Sequence, residues 1–291
     1  MKTIDLHVHS TASDGTMTPS ELAGYAKTKG LSAFALTDHN SIEGNEEAWA
    51  ASERLGLGFL PGMELSSSYK GHKLHIVCLG FDQTHPDIIK LYHAIRAIKE
   101  NGIPEIINFV RKKGLDIDMD MVQSQNKGKP VDIYAVMRCI ASFHMYETLR
   151  PIWDEYLNPA IKELGIAETI EVEDSIPLVH SAHGITSLAH FHKGIGLMDC
   201  SREEQEQLIT ELHELGVDGM EWDYPDYTPE DRAFARQMIE KHKLLPTAGT
   251  DFHGSNRPKF DMGSGMQGNI QIPYEFFEKI SSRVACCLMP K

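Results

Sequence analysis

The sequence predicts an α/β fold whose sheet closes in the manner of a barrel under a layer of helices, interrupted by an inserted helical cap. Two observations predict it. Short apolar runs of β character alternate with amphipathic helical stretches at both ends of the chain, and between residues 85 and 179 the helical period continues without a strand. Parallel strands joined by crossover helices cannot leave their faces wet, so such a sheet is covered by helices or closed.

In order, the first strand falls at 3–8, a helix at 19–29 and a strand at 32–37. A helix at 46–55 and a strand at 58–66 follow, and Lys70-Gly71 turns the chain into a hairpin return at 73–81. Helices at 101–113, 131–143 and 148–164 fill the insertion. The first rhythm then resumes with strands at 185–190, 217–222 and 244–249, separated by helices at 202–215 and 229–241. An apolar run around Cys286-Cys287 reads as a last core strand. The barrel is thus expected over 1–84 and 180–291, with the cap at 85–179.

A chain of 291 residues, 41% hydrophobic and 24% charged, has the composition of one globular domain of barrel size. Its formal charge of −14 disfavours nucleic-acid backbones and anionic membranes, unless local positive charge reverses the field at one site. Five scattered cysteines make no C-x-x-C pair, and the N-terminus has no apolar leader, so a cytoplasmic setting is expected. No stretch is long and apolar enough to span a membrane, and nothing marks a stable protein partner.

The chemistry begins at His7-Val8-His9, where period-2 geometry puts both imidazoles on one face at the carboxyl end of the first strand. Alone, that pair is a weak signal and reads as two surface histidines. Asp14 follows in Ser-Asp-Gly, on the loop after that strand, where barrel active sites form. The second strand ends in Thr37-Asp38-His39-Asn40, and the third carries Glu64 in Gly-Met-Glu-Leu-Ser, where an unpaired carboxylate costs several kcal/mol. Glu64 therefore needs a cation. His75 intrudes likewise into Leu-His-Ile-Val. Later strands end at Ala189-His190 and at Gly249-Thr250-Asp251-Phe252-His253-Gly254. Glu221-Trp222-Asp223 is the exception, its acids reading as supports for ligands or as structural groups.

Nine N/O candidates without a thiolate exceed what one tetrahedral zinc uses and suit two or three ions such as Mn, Zn or Fe. In such sites a carboxylate and a water bridge neighbouring metals, and the deprotonated water attacks phosphorus in line. The ions also resolve the conflict between a −14 chain and an anionic substrate.

With these residues assembled, the chain resembles the PHP family, the polymerase and histidinol phosphatase metallohydrolases. Asp5-Leu6-His7-Val8-His9-Ser10 with Ser13-Asp14-Gly15 and Thr18-Pro19 is similar to the family's opening motif. Thr37-Asp38-His39-Asn40, then Glu64 with His75, then Ala189-His190 and Gly249-Thr250-Asp251-Phe252-His253-Gly254 are similar to its later ones. The resemblance implies a distorted, TIM-like (β/α)7 barrel, in the branch of small-nucleotide phosphatases and 5′-to-3′ exonucleases. It further implies three metal sites: His7, His9, Glu64 and Asp251; Glu64, His75 and His190; and Asp14, His39 and His253. Glu64 is then the bridging carboxylate, and a metal-bound hydroxide the nucleophile, with Glu64 and Asp251 as its catalytic carboxylates.

Two departures bear on the substrate. The branch's Gly-Arg-Pro-His is here Gly128-Lys129-Pro130-Val131, and its Ala-His-Pro is Ala189-His190-Phe191-His192. His192 is a candidate proton donor to the leaving oxygen or a packing residue. Lys129 and Arg257 are candidate phosphate clamps, or solvated surface cations. The expected substrate is a small phosphorylated, nucleotide-like molecule or a short oligonucleotide end, with histidinol phosphate as the alternative. A catalytically silent PHP interaction module is a second class of reading, disfavoured because all nine ligand positions are filled. Amide or C–N hydrolysis on a related barrel is a third.

Overall fold

The computed structural model describes residues 2–125, 131–166 and 169–284. Gly128-Lys129-Pro130 and the run at Cys286-Cys287 lie outside the described residues. Among the described residues no helix is long and apolar enough to cross a membrane.

The strands are β1 (Ile4–Val8), β2 (Ala33–Leu36), β3 (Gly58–Tyr69), β4 (His72–Leu79), β5 (Ile170–Glu171), β6 (Ile185–Leu188), β7 (Gly219–Asp223) and β8 (Leu245–Ala248). Seven of them pair in the order β1-β2-β3-β4-β6-β7-β8, and β5 pairs with β3. All pairings along that path are parallel except those of β4, which runs against both neighbours. The two ends nearly close the sheet: His9 N donates to Phe252 O at 2.9 Å and Asp251 N to His7 O at 2.8 Å.

Period 2 then sorts the side chains. Ala33 and Ala35 join Ile4, Leu6, Leu60, Val77 and Ile185 in one buried cluster, while Phe34 and Leu36 join Val8, Leu22 and Ala48 in another. Helices α1 (Pro19–Thr28) and α2 (Asn45–Leu55) contribute to that second cluster. α1 begins with a Thr18/Glu21 capping box and Pro19 in its first turn, so its start is written into the sequence.

The chain separates into two compact units, residues 1–92 with 170–291, and residues 93–169. These divisions fall inside the 85–179 segment read from sequence, because β5 and the helix after it belong with the sheet. One division lies within α3 (Pro86–Glu100). The smaller unit holds α4 (Ile103–Lys112), α5 (Met119–Ser124), α6 (Ile133–Ala141), α7 (Arg150–Ile152), a π-helical turn (Trp153–Leu157) and α8 (Asn158–Leu164). It has its own core, in which Ile106, Val110, Val136, Ile140 and Leu157 meet.

The larger unit is completed by α9 (Val172–Ser181), α10 (Arg202–Glu214), α11 (Pro229–His242) and α12 (Tyr274–Val284). Four helices, α3, α5, α9 and α12, and the short β5 are not anticipated by the periodicity. α9 carries Pro177 inside it, which reads as a breaker. α12 buries only Phe276, Ile280 and Val284, spaced by four and joined to the barrel cluster.

The α10 cap offers a direct test of local sequence control. Ser201 accepts from Glu204 N while the Glu204 side chain returns to Ser201 N at 2.7 Å. Ser201→Ala is expected to cost about 1 kcal/mol, read as a fall in Tm of roughly 2–4 °C in thermal unfolding. Its ion uptake is expected to match the wild type.

Candidate metal centre

Six of the seven strands along that path point the same way, so the residues at their carboxyl ends share one rim. β4 runs the other way, and its register sets Ser66 against His75, which brings that histidine from near the start of its strand to the same rim. His39 and Glu64 are joined by a backbone bridge, and Asn40 N donates to Glu64 O at 2.9 Å.

Glu64 is the centre of the arrangement. Its Oε1 lies 2.8 Å from His75 Nδ1, 2.9 Å from His190 Nε2 and 3.2 Å from His7 Nε2. Oε2 lies 2.9 Å from His39 Nδ1 and 3.3 Å from His9 Nε2. Asp251 Oδ1 faces the same ring of imidazoles, 3.2 Å from His9 Nε2, 3.3 Å from His253 Nδ1 and 3.7 Å from His7 Nε2. Asp14 Oδ1 lies 3.2 Å from His253 Nε2 and 3.8 Å from His39 Nε2. All nine candidates are thus brought together.

Three groups of donor atoms lie within 4.8 Å of one another: His7, His9, Glu64 and Asp251; His9, Asp14, His39 and His253; and His39, Glu64 and His75. His9 therefore stands within reach of two groups, and His190 reaches Glu64 beside His75. His7 Nε2, both nitrogens of His9, Glu64 Oε2, Asp251 Oδ1 and His253 Nε2 are buried and make no well-directed hydrogen bond among the described residues. Buried polar atoms are normally satisfied, so six such atoms around one centre fit divalent cations.

The electrostatics agree. Burial alone would push the His9 imidazolium down, but the Asp251 and Glu64 carboxylates outweigh it and raise it to about 9. Burial likewise opposes charge on His7, yet Glu64, Asp251 and Glu221 carry it well above its ordinary value. His75 and His253 are pushed by burial down to about 4, only partly offset by Glu64 and Asp14 respectively. Burial would raise Glu64 and Asp251, but the imidazoles around Glu64, and Arg257 with the imidazoles beside Asp251, hold both well below the ordinary carboxylate range.

At pH 7 the ion-free protein keeps a proton on His9, and an ion binding through that ring must displace it. Affinity is expected to rise with pH through about 9, the value to which His9 is raised, by roughly tenfold per unit for each proton released, and His7, also carried well above its ordinary value, adds a second proton to the release. Calorimetry in two buffers of different ionisation enthalpy reads the proton count directly. His75 and His253 contribute nothing to this slope near neutrality, being already neutral.

Several supports lack any local signal of their role. Asp5 accepts from Thr250 N (3.0 Å), Thr250 Oγ1 (2.5 Å), Gly263 N (2.8 Å) and His7 N (3.2 Å), tying the ends of β1 and β8. Asp38 accepts from Ser10 N (2.7 Å), Ser10 Oγ (2.6 Å) and Ser13 Oγ (2.6 Å), which fixes the loop carrying Asp14. Their placement beside His7 and His39 in the same motifs is the only trace in the sequence. Tyr224 donates to Asp251 Oδ2 at 2.5 Å, and Arg257 pairs with the same oxygen, leaving Oδ1 toward the imidazoles. Asp223 serves the structure, accepting from Arg232 Nε at 2.8 Å.

Of the substrate-side candidates, Arg257 is partly exposed at the rim, and Lys129 lies outside the described residues. His192 turns to Asp226, its Nε2 2.7 Å from Oδ1, and packs on Phe191, Tyr224 and Tyr227. None of these partners belongs to the nine.

A family model described as PHP domain matches residues 5–173, more than half of the chain. A 5′-3′ exoribonuclease of Haemophilus influenzae is 29% identical over 252 residues, covering 87% of this chain and 90% of its own. A 3′,5′-nucleoside bisphosphate phosphatase of Chromobacterium violaceum is 28% identical over 271 residues, covering 90% and 91%. A solved structure from Bifidobacterium adolescentis, titled as a candidate metal-dependent phosphoesterase, superposes with a TM-score of 0.81 over 97% of this chain and 96% of its own. At 24% identity it bears on the fold alone. A domain match of this extent, over the segment that carries His7, His9, Asp14, His39, Glu64 and His75, assigns the chain to the PHP domain family.

Proposed function

We propose that this chain hydrolyses a phosphate ester of a small nucleotide-like substrate, using two to three divalent ions held at the rim of its barrel. The observation that carries the reading is Glu64, a fully buried carboxylate touching five imidazoles from other strands and loops. When bound, divalent ions neutralise phosphate oxygens and activate water for in-line attack. Glu64 is the shared ligand of the His7, His9 and Asp251 set and of the His75 and His190 set. Asp14, His39 and His253 hold a third ion, with His9 in reach. Arg257 steadies Asp251 and, being partly exposed, offers its remaining donors to a substrate phosphate. Mn, Zn and Fe all suit such N/O donors.

The substrate class rests on the relatives' names, which pair a nucleotide phosphatase with an exoribonuclease. Phosphate release is therefore measured from nucleoside 3′- and 5′-phosphates, nucleoside bisphosphates, histidinol phosphate and a short 5′-phosphorylated RNA, with Mn²⁺, beside Asp251→Asn. Release that needs the ion and is lost in the variant is the expected result. Bound ion without turnover of any compound overturns the phosphoesterase reading in favour of a silent module or amide hydrolysis.

A further inference from the structure

We propose that Glu221 is the positioning residue of this centre: one carboxylate holds both His7 and His190, from two different strand ends, in the attitude that ion binding needs. The inference rests on the metal-centre reading above and adds a residue that is not itself a ligand.

Glu221 lies within β7 and is 1% exposed. Its Oε1 accepts from His7 Nδ1 at 2.7 Å, and its Oε2 accepts from the backbone N of His190 at 2.5 Å. Both oxygens are engaged by the protein, which separates Glu221 from Glu64, whose Oε2 makes no well-directed hydrogen bond.

The two holds act differently. At His7 the bond fixes the proton on Nδ1, so that Nε2 is the nitrogen turned to Glu64 at 3.2 Å and Asp251 at 3.7 Å. A ring that donates through one nitrogen to a carboxylate presents the other to a metal, better oriented and more basic. At His190 the hold is on the main chain. Its φ of 26° lies in the left-handed region, which a residue with a Cβ avoids unless its surroundings impose it. The bond to Oε2 is such a constraint, and with the backbone so turned the ring sets Nε2 2.9 Å from Glu64 Oε1 and 3.3 Å from His75 Nδ1. Strand β7, which supplies no ligand in this reading, thereby sets the aim of two.

The test is Mn²⁺ binding by Glu221→Gln, followed by equilibrium dialysis with metal analysis. An amide keeps the shape but offers one acceptor oxygen and turns NH₂ against the other donor. Ions held through His7 and His190 are expected to bind about 10- to 100-fold more weakly, while the ion at Asp14, His39 and His253 keeps its affinity. Asp218→Asn is the control for general loosening. That carboxylate is largely covered but accepts from His180 (2.7 Å) and Arg283 (2.7 Å), at the opposite end of the sheet. If Glu221→Gln does not fold, Glu221→Asp retains the charge with a shorter reach, loses one of the two holds, and is expected to show the same selective loss. Wild-type affinity at every site in the folded variant, or a uniform loss equal to that of Asp218→Asn, overturns the role of Glu221 alone. A wild-type protein that takes up no Mn²⁺ overturns the metal-centre reading and this inference with it.

Discussion

Glu64→Gln is expected to abolish metal-dependent phosphate release, with kcat/KM falling by at least about a thousandfold. Both oxygens of Glu64 face imidazoles, three on one side and two on the other, and no second residue can replace a carboxylate shared in this way. A bound divalent ion supplies several kcal/mol of transition-state charge stabilisation, and about 4 kcal/mol corresponds to a factor of a thousand in rate. The variant is measured for phosphate release and for bound ion together. Loss of both identifies Glu64 as the shared ligand. Retained ion binding with wild-type turnover removes it from that position and leaves Asp251 as the bridging candidate.

Gly249→Ala is expected to unfold the junction on which the site is built. A Cβ at this position would lie 2.1 Å from His7 Cβ, 2.5 Å from His7 N and 2.7 Å from His7 Cα. Two of those atoms are backbone, so no rotamer change relieves the overlap. The ends of β1 and β8 must separate, and with them the bond from Asp251 N to His7 O and the grip of Asp5 on Thr250. Overpacking of a tight interior costs roughly 1–3 kcal/mol, and a backbone collision at a sheet junction belongs at or beyond the top of that range. A fall in Tm of several degrees with weakened ion uptake is the expected outcome of a thermal melt with and without Mn²⁺. A variant that melts and binds like the wild type would mean that β1 and β8 are not held this closely.

The ligand types were legible because each sits where a local rule makes it conspicuous. His7 and His9 alternate on one strand face, and Glu64 stands in an apolar run with no neighbouring cation. His190, Asp251 and His253 follow runs of strand residues at points where the chain turns. Once parallel strands are granted, their carboxyl ends must share a rim, so convergence follows from direction alone. The helices with strong boundary signals were legible for the same reason, as at Thr18-Pro19 and Ser201. α12, with three buried residues spaced by four but Ile272-Pro273 before it in place of a Ser, Thr, Asp or Asn cap, was not.

The sequence by itself therefore determined the fold class, the strands of the barrel and the nine candidate donors. Only the tertiary structure decided how they are shared and held. It set β4 against β3 so that His75 reaches Glu64, drew His192 to Asp226, and gave Glu221 to His7 and His190 at once. The physical reason is range. Period and turn chemistry act over a few residues, whereas His7 and Glu221 are 214 residues apart and meet only because the sheet curls until its first strand approaches its last.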